Sequence, residues 1–429
     1  MLPSLPDLAA ALRTDQLALD AMLDKLAERF AVREPEIAAF YPETARFERL
    51  RGEAAALVAR YPEAAERPVL FGIPVAIKDI FHVDGFATTA GSSLPPAELA
   101  GDEAVSVAAL RAAGALILGK SVTTEFAYFA PGATRNPVDS TRTPGGSSSG
   151  SAAAVGAGLC PLALGTQTIG SICRPASYCG VVGFKPSYER VSCDGVIPLA
   201  PSLDHVGWFT RDVAGARVAA AVLCADWRPV TESAARPRLG VPESPYLGRA
   251  ERRGRERFRR ACEHLVGQGF EIRNVPVMPD FDAVQARHRQ LVAVEAARVH
   301  APWWARFGDR YHPKTRQLIE TGLEVSAEEL ATARAGRGEL RAELTAALDE
   351  QAVDLYLAPA APDVAPLGLD STGDPVMNLP WTQAGLPSLS LPLPCAEGEL
   401  PFGLQVIGRW QQDEQLLASA SLLEKALAA

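Results

Sequence analysis

Apolar side chains recur along this chain with two different periods, and each period predicts a different kind of element. Leucines return at roughly helical spacing over residues 7–32, which predicts an amphipathic helix, and a second helix is predicted over 43–60. Residues 69–77 form an almost continuous apolar run, rich in β-branched side chains, between Pro68 and Lys78. Such a run, flanked by Pro and Gly, favours a buried strand over a helix.

The same alternation continues to the C-terminal end of the chain. A helix over 105–113 and a buried strand over 115–118 are predicted next, and after about residue 212 the helices become rich in Arg and Glu. The later helices are predicted over 250–267, 281–310 and 326–350, and the later strands over 238–241, 353–357, 388–393 and 402–407. Alternating helices and strands predict an α/β fold. No clean linker divides the sequence, so we expect one domain over 1–429.

A long uncharged segment lies between Arg142 and Arg174. Residues 143–173 carry no charged side chain, yet Pro161, Gln167 and many serines make the segment too polar for a bilayer helix. Hydroxyl side chains are concentrated at its two ends, and Arg174 is the first cation after it. We therefore expect buried serine chemistry here, with a cation close by.

Composition argues against several classes of function. The 429 residues carry a net charge of −9, which argues against a general nucleic-acid surface, and the local basic cluster at 252–260 reads as a solvated helix face. No transmembrane or secretory pattern is present. The seven cysteines form no CxxC pair, so we expect free thiols in a reducing cytoplasm. The six histidines stand apart, so we expect no metal site.

A serine nucleophile needs a base that takes its proton and donors that hold the oxyanion. No GxSxG elbow is present, and His205 is the only histidine near the serine-rich segment. Lys78 is the alternative base, because a lysine at the end of an apolar strand can be desolvated, which lowers its pKa. Taken alone, a lysine at a strand end is more often a solvated surface group than a base.

Three motifs in order resemble the amidase signature family. They lie at residues 72–79, 144–151 and 165–171, and the spacing of Ser147 and Ser171 agrees with that of the two catalytic serines of the family. The resemblance is strong over 68–212, which we take as the signature core, and weaker towards the C-terminus. It implies a single α/β domain with a large mixed β-sheet sandwiched between α-helices, and it implies no metal and no organic cofactor.

The resemblance also assigns roles by position. Ser171 corresponds to the nucleophile, Ser147 to a bridging serine on a cis peptide bond, and Lys78 to the base that draws a proton from Ser171 through Ser147. The family's oxyanion hole corresponds to the backbone N–H groups of Thr168, Ile169, Gly170 and Ser171. The remaining hydroxyls of the motif, which we interpret as loop and helix-cap groups, are those of Ser148, Ser149 and Ser151.

Three positions depart from the commonest family pattern. Many members carry Asp in place of Gln167, for which we expect a supporting hydrogen bond, and Gly in place of Ile169. Because Ile does not comfortably adopt positive φ, the loop must take a conformation open to ordinary residues. Arg174 lies one position later than the arginine of many members, as in the malonamidase-like subgroup, where that arginine binds a substrate carboxylate. A structural Arg174 paired with Asp204 or Asp79 is the alternative.

The implied activity is hydrolysis of the C–N bond of a carboxylic amide through an acyl-enzyme, on a small acidic amide or a carbamate, with esters also open. The substrate would be a small molecule with water as co-substrate, no nucleic acid or membrane is expected as a partner, and a homodimer is left open. The helical region 213–350 is expected to shape the pocket. The alternatives are a subunit of a tRNA-dependent amidotransferase that needs a partner protein, and a binding protein without activity.

Overall fold

The computed structural model describes residues 3–230, 235–396 and 398–429, so the predicted domain over 1–429 and the predicted region 213–350 each include a few residues outside these ranges. The helices in the described part are α1 Leu5–Arg13, α2 Leu19–Ile37, α3 Arg46–Arg60, α4 Val105–Ala112, α5 Ser149–Gly156, α6 Cys173–Cys179, α7 Val213–Leu223, α8 Arg252–Gly267, α9 Phe281–Phe307, α10 Pro313–Glu324, α11 Ala327–Glu350, α12 Leu379–Gln383 and α13 Asp413–Ala428. The strands are β1 Pro74–Lys78, β2 Leu116–Ser121, β3 Leu162–Gln167, β4 Val182–Lys185, β5 His205–Thr210, β6 Leu239–Glu243, β7 Ile272–Pro276, β8 Leu355–Pro359, β9 Ser388–Pro392 and β10 Gly403–Ile407.

All ten strands belong to one mixed sheet, in the order β2-β1-β3-β5-β4-β9-β10-β8-β6-β7. The pairs at both ends of the sheet are parallel, and those from β3 to β8 are antiparallel. Strands β1, β2, β3, β4 and β5 are buried along their whole length, because helices cover both faces of the sheet. The predicted fold, a single α/β domain with a large mixed sheet between helices, is confirmed.

The prediction of one helix over residues 7–32 is wrong in one respect. The segment forms two helices, α1 and α2, which are separated at residues 14–18. The Thr14 hydroxyl donates to the Ala10 carbonyl, and Asp15 adopts a left-handed conformation with φ of 57°. A left-handed residue cannot continue a right-handed helix, so the chain turns although the leucine spacing continues across the break.

The predicted strand over 69–77 is shorter and lies later in the chain. Residues 69–73 form tight turns, in which Phe71 N–H donates to the Pro68 carbonyl and Ile73 N–H to the Leu70 carbonyl. Gly72 takes a φ of 72° at the centre, which explains why glycine stands there. Strand β1 therefore begins at Pro74 and includes Lys78 as its last residue.

The Arg- and Glu-rich helices α8, α9 and α11 follow their predicted positions within three residues. Helix α11 begins with a capping box, in which Ser326 and Glu329 each accept the other's backbone N–H. The sequence pattern did not reveal α10 or the C-terminal α13. No helix in the described part is both long and apolar enough to cross a membrane.

The parallel pairing of β1 with β3 creates the place where the hydroxyl motifs meet. Ile77 lies opposite Leu164, so the carboxyl ends of both strands reach the same edge of the sheet. Lys78 ends β1 and Gln167 ends β3 there, and α5, which follows the glycine-rich loop 143–148, packs on both strands. Residues that are far apart in sequence are thereby gathered where α/β sheets commonly bind ligands.

Candidate active site

Lys78 is the centre of a buried cluster of hydroxyl groups. Its Nζ lies 2.8 Å from Ser147 Oγ, 3.0 Å from Ser148 Oγ and 2.8 Å from Thr166 Oγ1. All four side chains are buried, and the lysine itself is 0% exposed. The solvated interpretation of Lys78 is therefore wrong. The peptide bond between Gly146 and Ser147 is cis.

Two of the three partners of Lys78 were not expected from the sequence. Ser148 was interpreted as a loop or cap hydroxyl, but it forms no cap bond at the start of α5 and instead accepts from Lys78. Its hydroxyl donates to the Thr166 carbonyl. The sequence pattern assigned no role to Thr166. Only its position near the end of β3, which is parallel to β1, could have indicated it.

Burial decides the charge state of Lys78. Desolvation holds the pKa of its amine well below the ordinary range of a lysine, and the negative charge of Asp204 opposes this only in part. No carboxylate forms an ion pair with Lys78 within the described residues, because the adjacent Asp79 pairs with Lys120 at 2.8 Å. A neutral amine retains a lone pair. Since the Ser148 proton is already engaged, Ser147 is one hydroxyl that can donate to that lone pair.

Ser171 lies in the loop between β3 and α6, and its side chain is 7% exposed. Across the described residues, no hydrogen bond joins Ser171 to Ser147. The backbone N–H groups of Ile169, Gly170 and Ser171 also donate to nothing in that part of the chain. Ile169 is not among the residues with positive φ, as expected for a β-branched side chain. The loop thus presents the Ser171 hydroxyl beside backbone donors that are free in the described part of the chain.

Gln167 and Thr382 form hydrogen bonds that fix the loop between β3 and α6. The Gln167 Oε1 accepts from the backbone N–H groups of Ile172, at 2.8 Å, and Cys173, at 3.0 Å. Its Nε2 donates to Thr382 Oγ1 at 2.9 Å, and that hydroxyl donates to the Ile169 carbonyl at 2.7 Å. One amide side chain therefore links the end of β3, the start of α6 and the peptide groups beside Ser171.

Asp204 and His205 lie on the other side of the loop. The Thr168 hydroxyl donates to Asp204 Oδ1 at 2.5 Å, and burial raises the pKa of Asp204 to about 6. His205 is buried with Nδ1 only 2.6 Å from the Leu203 carbonyl, and burial holds its pKa well below the ordinary value. His205 makes no hydrogen bond with either candidate catalytic serine in the described part of the chain.

Arg174 lies buried in α6, with 1% of its surface exposed. Its Nη2 donates to the Gly146 carbonyl at 2.6 Å, and its Nη1 donates to the Gly373 carbonyl. Desolvation lowers the pKa of this guanidinium to about 10. The alternative was a structural Arg174 paired with a carboxylate such as Asp204 or Asp79, and in the described residues Arg174 forms no ion pair with either, so these two partners are wrong. The guanidinium instead holds two backbone carbonyls, one of which belongs to the residue before Ser147.

Two cavities border the loop that carries Ser171. The first, of 340 Å³, has Ile169 in its wall together with residues of α9 and α10. The second, of 200 Å³, is lined by Thr166, Thr168 and Asp204 among others. Since Thr168 and Ile169 are consecutive, the loop separates the two cavities.

Comparison with known proteins agrees with the fold and with the motifs. The sequence matches the Amidase family over residues 21–417. A glutamyl-tRNA(Gln) amidotransferase subunit of Roseiflexus sp. (strain RS-1) is 33% identical, over 96% of this chain and 94% of that protein. The chain therefore belongs to the Amidase family, the amidase signature enzymes, which hydrolyse C–N amide bonds.

Solved structures extend the likeness over the whole chain. A structure described as an amidase is 35% identical, with a TM-score of 0.89, and covers 99% of this chain and 100% of its own. The native peptide amidase from Stenotrophomonas maltophilia is 26% identical, with a TM-score of 0.81, over 99% of this chain and 97% of that one. These likenesses do not specifically single out the malonamidase-like subgroup.

Proposed function

We propose that this protein hydrolyses a carboxylic amide, with Ser171 as nucleophile, Ser147 as proton bridge and Lys78 as base. The observation that carries the proposal is the buried Lys78 Nζ, 2.8 Å from Ser147 Oγ, with its pKa lowered by desolvation. A neutral amine in this position can accept the Ser147 proton while Ser147 takes the proton of Ser171. Catalytic hydrogen bonds are often long in the free enzyme, so the absence of a Ser147–Ser171 bond is compatible with this relay.

The chemical steps conserve every proton. Ser171 Oγ attacks the carbonyl carbon, and the N–H groups of Ile169, Gly170 and Ser171, with that of Thr168, receive the tetrahedral oxyanion. Lys78 returns the proton through Ser147 to the leaving nitrogen as the C–N bond breaks. Water then attacks the acyl-Ser171 ester by the same relay and releases the carboxylic acid. Carbamates and esters pass through similar intermediates, so the same groups can act on them.

Replacement of Ser171 tests the proposal. We expect Ser171→Ala to hydrolyse none of a panel of acidic, neutral and aryl amides, carbamates and esters that wild type cleaves, because the acyl-enzyme cannot form. Mass spectrometry of quenched wild type should find the acyl group on Ser171. The matched control is Ser149→Ala, which removes a buried hydroxyl at the start of α5 that donates to the Gly145 carbonyl. Full turnover by Ser171→Ala would contradict the proposal.

A second candidate, the ammonia-releasing component of an amidotransferase, is favoured by the curated relatives that carry the amidotransferase name. The two candidates make different predictions for the isolated chain. A free-standing amidase elutes from gel filtration without another protein and hydrolyses amides by itself. A chain that stays inactive on the whole panel, and becomes active only when a partner protein is added, would favour the amidotransferase role.

Two further interpretations remain proposals. Seven of the cavity-lining residues fall between positions 285 and 321, which supports a pocket-shaping role for region 213–350. The substrate-binding role predicted for Arg174 remains untested. Its contacts with two carbonyls favour a role in holding the loop before Ser147.

A further inference from the structure

The 340 Å³ cavity beside Ile169 has an apolar wall and a charged rim. Its wall includes Phe129, Val292, Leu318 and Leu379, and its rim carries the charged side chains of Arg289, Lys314 and Asp374. Cavities that bind small molecules commonly combine a mainly apolar lining with a few polar groups that set orientation. Here two cations face one carboxylate, so the rim has an excess of positive charge.

Of the two cations, Arg289 has the more unused hydrogen-bonding capacity among the described residues. It lies on α9, is exposed, and within the described residues forms no ion pair and donates no hydrogen bond. Its charge acts on Tyr128, where it opposes the rise in pKa that burial causes, so the guanidinium faces the cavity wall. A guanidinium presents a planar set of donors that matches a carboxylate with two parallel hydrogen bonds.

Lys314 adds a second positive charge at a fixed place. Its Nζ donates to the Phe129 carbonyl at 3.3 Å and to the Asp370 carbonyl at 3.2 Å, which leaves one N–H of the ammonium for another acceptor. The carboxylate of Asp374 is partly engaged, since its Oδ1 accepts the Val376 N–H at 2.9 Å. Asp374 forms no ion pair with Arg289 or Lys314 in the described part of the chain, so neither cation is neutralised locally.

We propose that Arg289, assisted by Lys314, binds an anionic end group of the amide substrate, and that the apolar wall binds a spacer between this anion and the scissile amide. This inference rests on the proposed amidase function and names its substrate class. The volume is that of about ten water molecules at ~30 Å³ each, which admits a spacer of several carbons. Arg174 does not compete for this role, because both of its Nη atoms already bind carbonyls.

Adipic acid monoamide and hexanamide test the proposal, because they differ only in a terminal carboxylate against a methyl group. We expect wild type to prefer the monoamide, mainly through a lower KM, and Arg289→Gln to reduce that preference at least tenfold. Arg289→Lys should retain much of it, because the charge remains. The control is Arg298→Gln, which removes an exposed charge from the same helix outside the cavity lining. Equal loss for both amides in Arg289→Gln would overturn the proposal.

A binding measurement separates this inference from the proposed function. Isothermal titration calorimetry on Ser171→Ala needs no turnover, and it should find that the monoamide binds more tightly than hexanamide. Adding Arg289→Gln should weaken monoamide binding at least tenfold. If the monoamide binds no better than hexanamide, or does not bind, the anion site is refuted even where amide hydrolysis is intact. If Ser171→Ala still hydrolyses amides, the proposed mechanism fails while the binding comparison still decides the anion site.

Discussion

At the scale of single residues, the candidate chemistry depends on how completely one amine is removed from water. Lys78 is surrounded by three hydroxyl groups and, among the residues that the structure describes, by no carboxylate partner, so an ammonium charge there is not fully compensated. Hydroxyl oxygens stabilise the charged form less than a carboxylate does. The residue that a strand-end pattern presents as an ordinary lysine is thereby favoured in its neutral form, which can accept a proton.

Thr166→Val should move the acidic limb of the pH–rate profile. Under the proposed mechanism activity requires neutral Lys78, so it should fall as the pH drops through the folded pKa, which lies well below the ordinary value. The Thr166 hydroxyl accepts from Nζ and favours the ammonium, so its loss should lower that pKa further and move the acidic limb to lower pH.

The profile of kcat/KM between pH 5 and 10 would display this shift. Thr166→Ser keeps the hydroxyl and should keep the wild-type limb, while circular dichroism checks that both variants are folded. An acidic limb that stays in place in Thr166→Val would mean that a group other than Lys78 controls the rate.

At the scale of elements, the loop before α6 depends on a side chain at the end of β3. Gln167 satisfies two N–H groups at the start of α6 and positions Thr382 against the Ile169 carbonyl. The first N–H groups of any helix lack partners within the helix, and a buried helix start needs acceptors from elsewhere. The conformation of the catalytic loop is therefore set jointly by β3, α6 and α12.

Gln167→Leu should both destabilise the fold and slow the reaction. Two buried N–H groups lose their acceptor, which costs about 1–3 kcal/mol of unfolding free energy for each group, measurable by urea denaturation. The rate constant kcat should fall more than KM rises, because the free N–H donors of the loop lose their fixed direction.

Gln167→Glu supplies the matched comparison. A carboxylate can still accept from Ile172 and Cys173, but it cannot donate to Thr382, whose hydroxyl would turn towards it and away from the Ile169 carbonyl. We expect this variant to retain more stability than Gln167→Leu while kcat remains reduced. Wild-type kcat in Gln167→Glu would show that the Thr382 link does not position the loop.

At the scale of the whole molecule, burial of neutral histidines couples the stability of the fold to pH. His300 lies in an aromatic cluster with Phe126, Trp303 and Tyr311, and its Nδ1 is 3.0 Å from the Tyr311 hydroxyl. Burial lowers the pKa of His300 to about 3. Because this is below the unfolded value of about 6.5, the unfolded chain binds the proton first as the pH falls. The contribution of His300 to the free energy of unfolding is therefore fully present above about pH 6.5 and is lost as the pH falls towards 3.

His300→Gln should remove this part of the pH dependence. Between pH 7 and pH 5, wild type should lose about 2 kcal/mol more unfolding free energy than the variant, since glutamine does not titrate. Urea denaturation of both proteins at the two pH values measures the difference, and the constant cost of the substitution cancels. His300→Leu provides a second non-titrating variant. Parallel pH dependence in wild type and both variants would contradict the burial of a neutral His300.

The sequence by itself determined the fold class, the family and the identities of the candidate catalytic residues. Local periodicity predicts strands β1, β2, β6, β8, β9 and β10 and helices α3, α4, α8, α9 and α11, but it did not predict β4, β5, β7, α6, α7, α10, α12 or α13. The motifs around Lys78, Ser147 and Ser171 are contiguous stretches readable without coordinates. The sequence pattern did not predict the break between α1 and α2, because the apolar spacing continues through a turn that the backbone conformation imposes.

Only the tertiary structure decided which groups surround the site. The parallel pairing of β1 and β3 places Ser148 and Thr166 within hydrogen-bonding distance of Lys78. Arg174 donates to backbone carbonyls of two loops that are distant in sequence. The place of Arg289 beside the cavity, without an ion pair in the described part of the chain, likewise depends on how α9 and α10 pack. These contacts join residues far apart along the chain. Periodicity describes each element alone, whereas burial, hydrogen bonding and charge pairing depend on what packs against it.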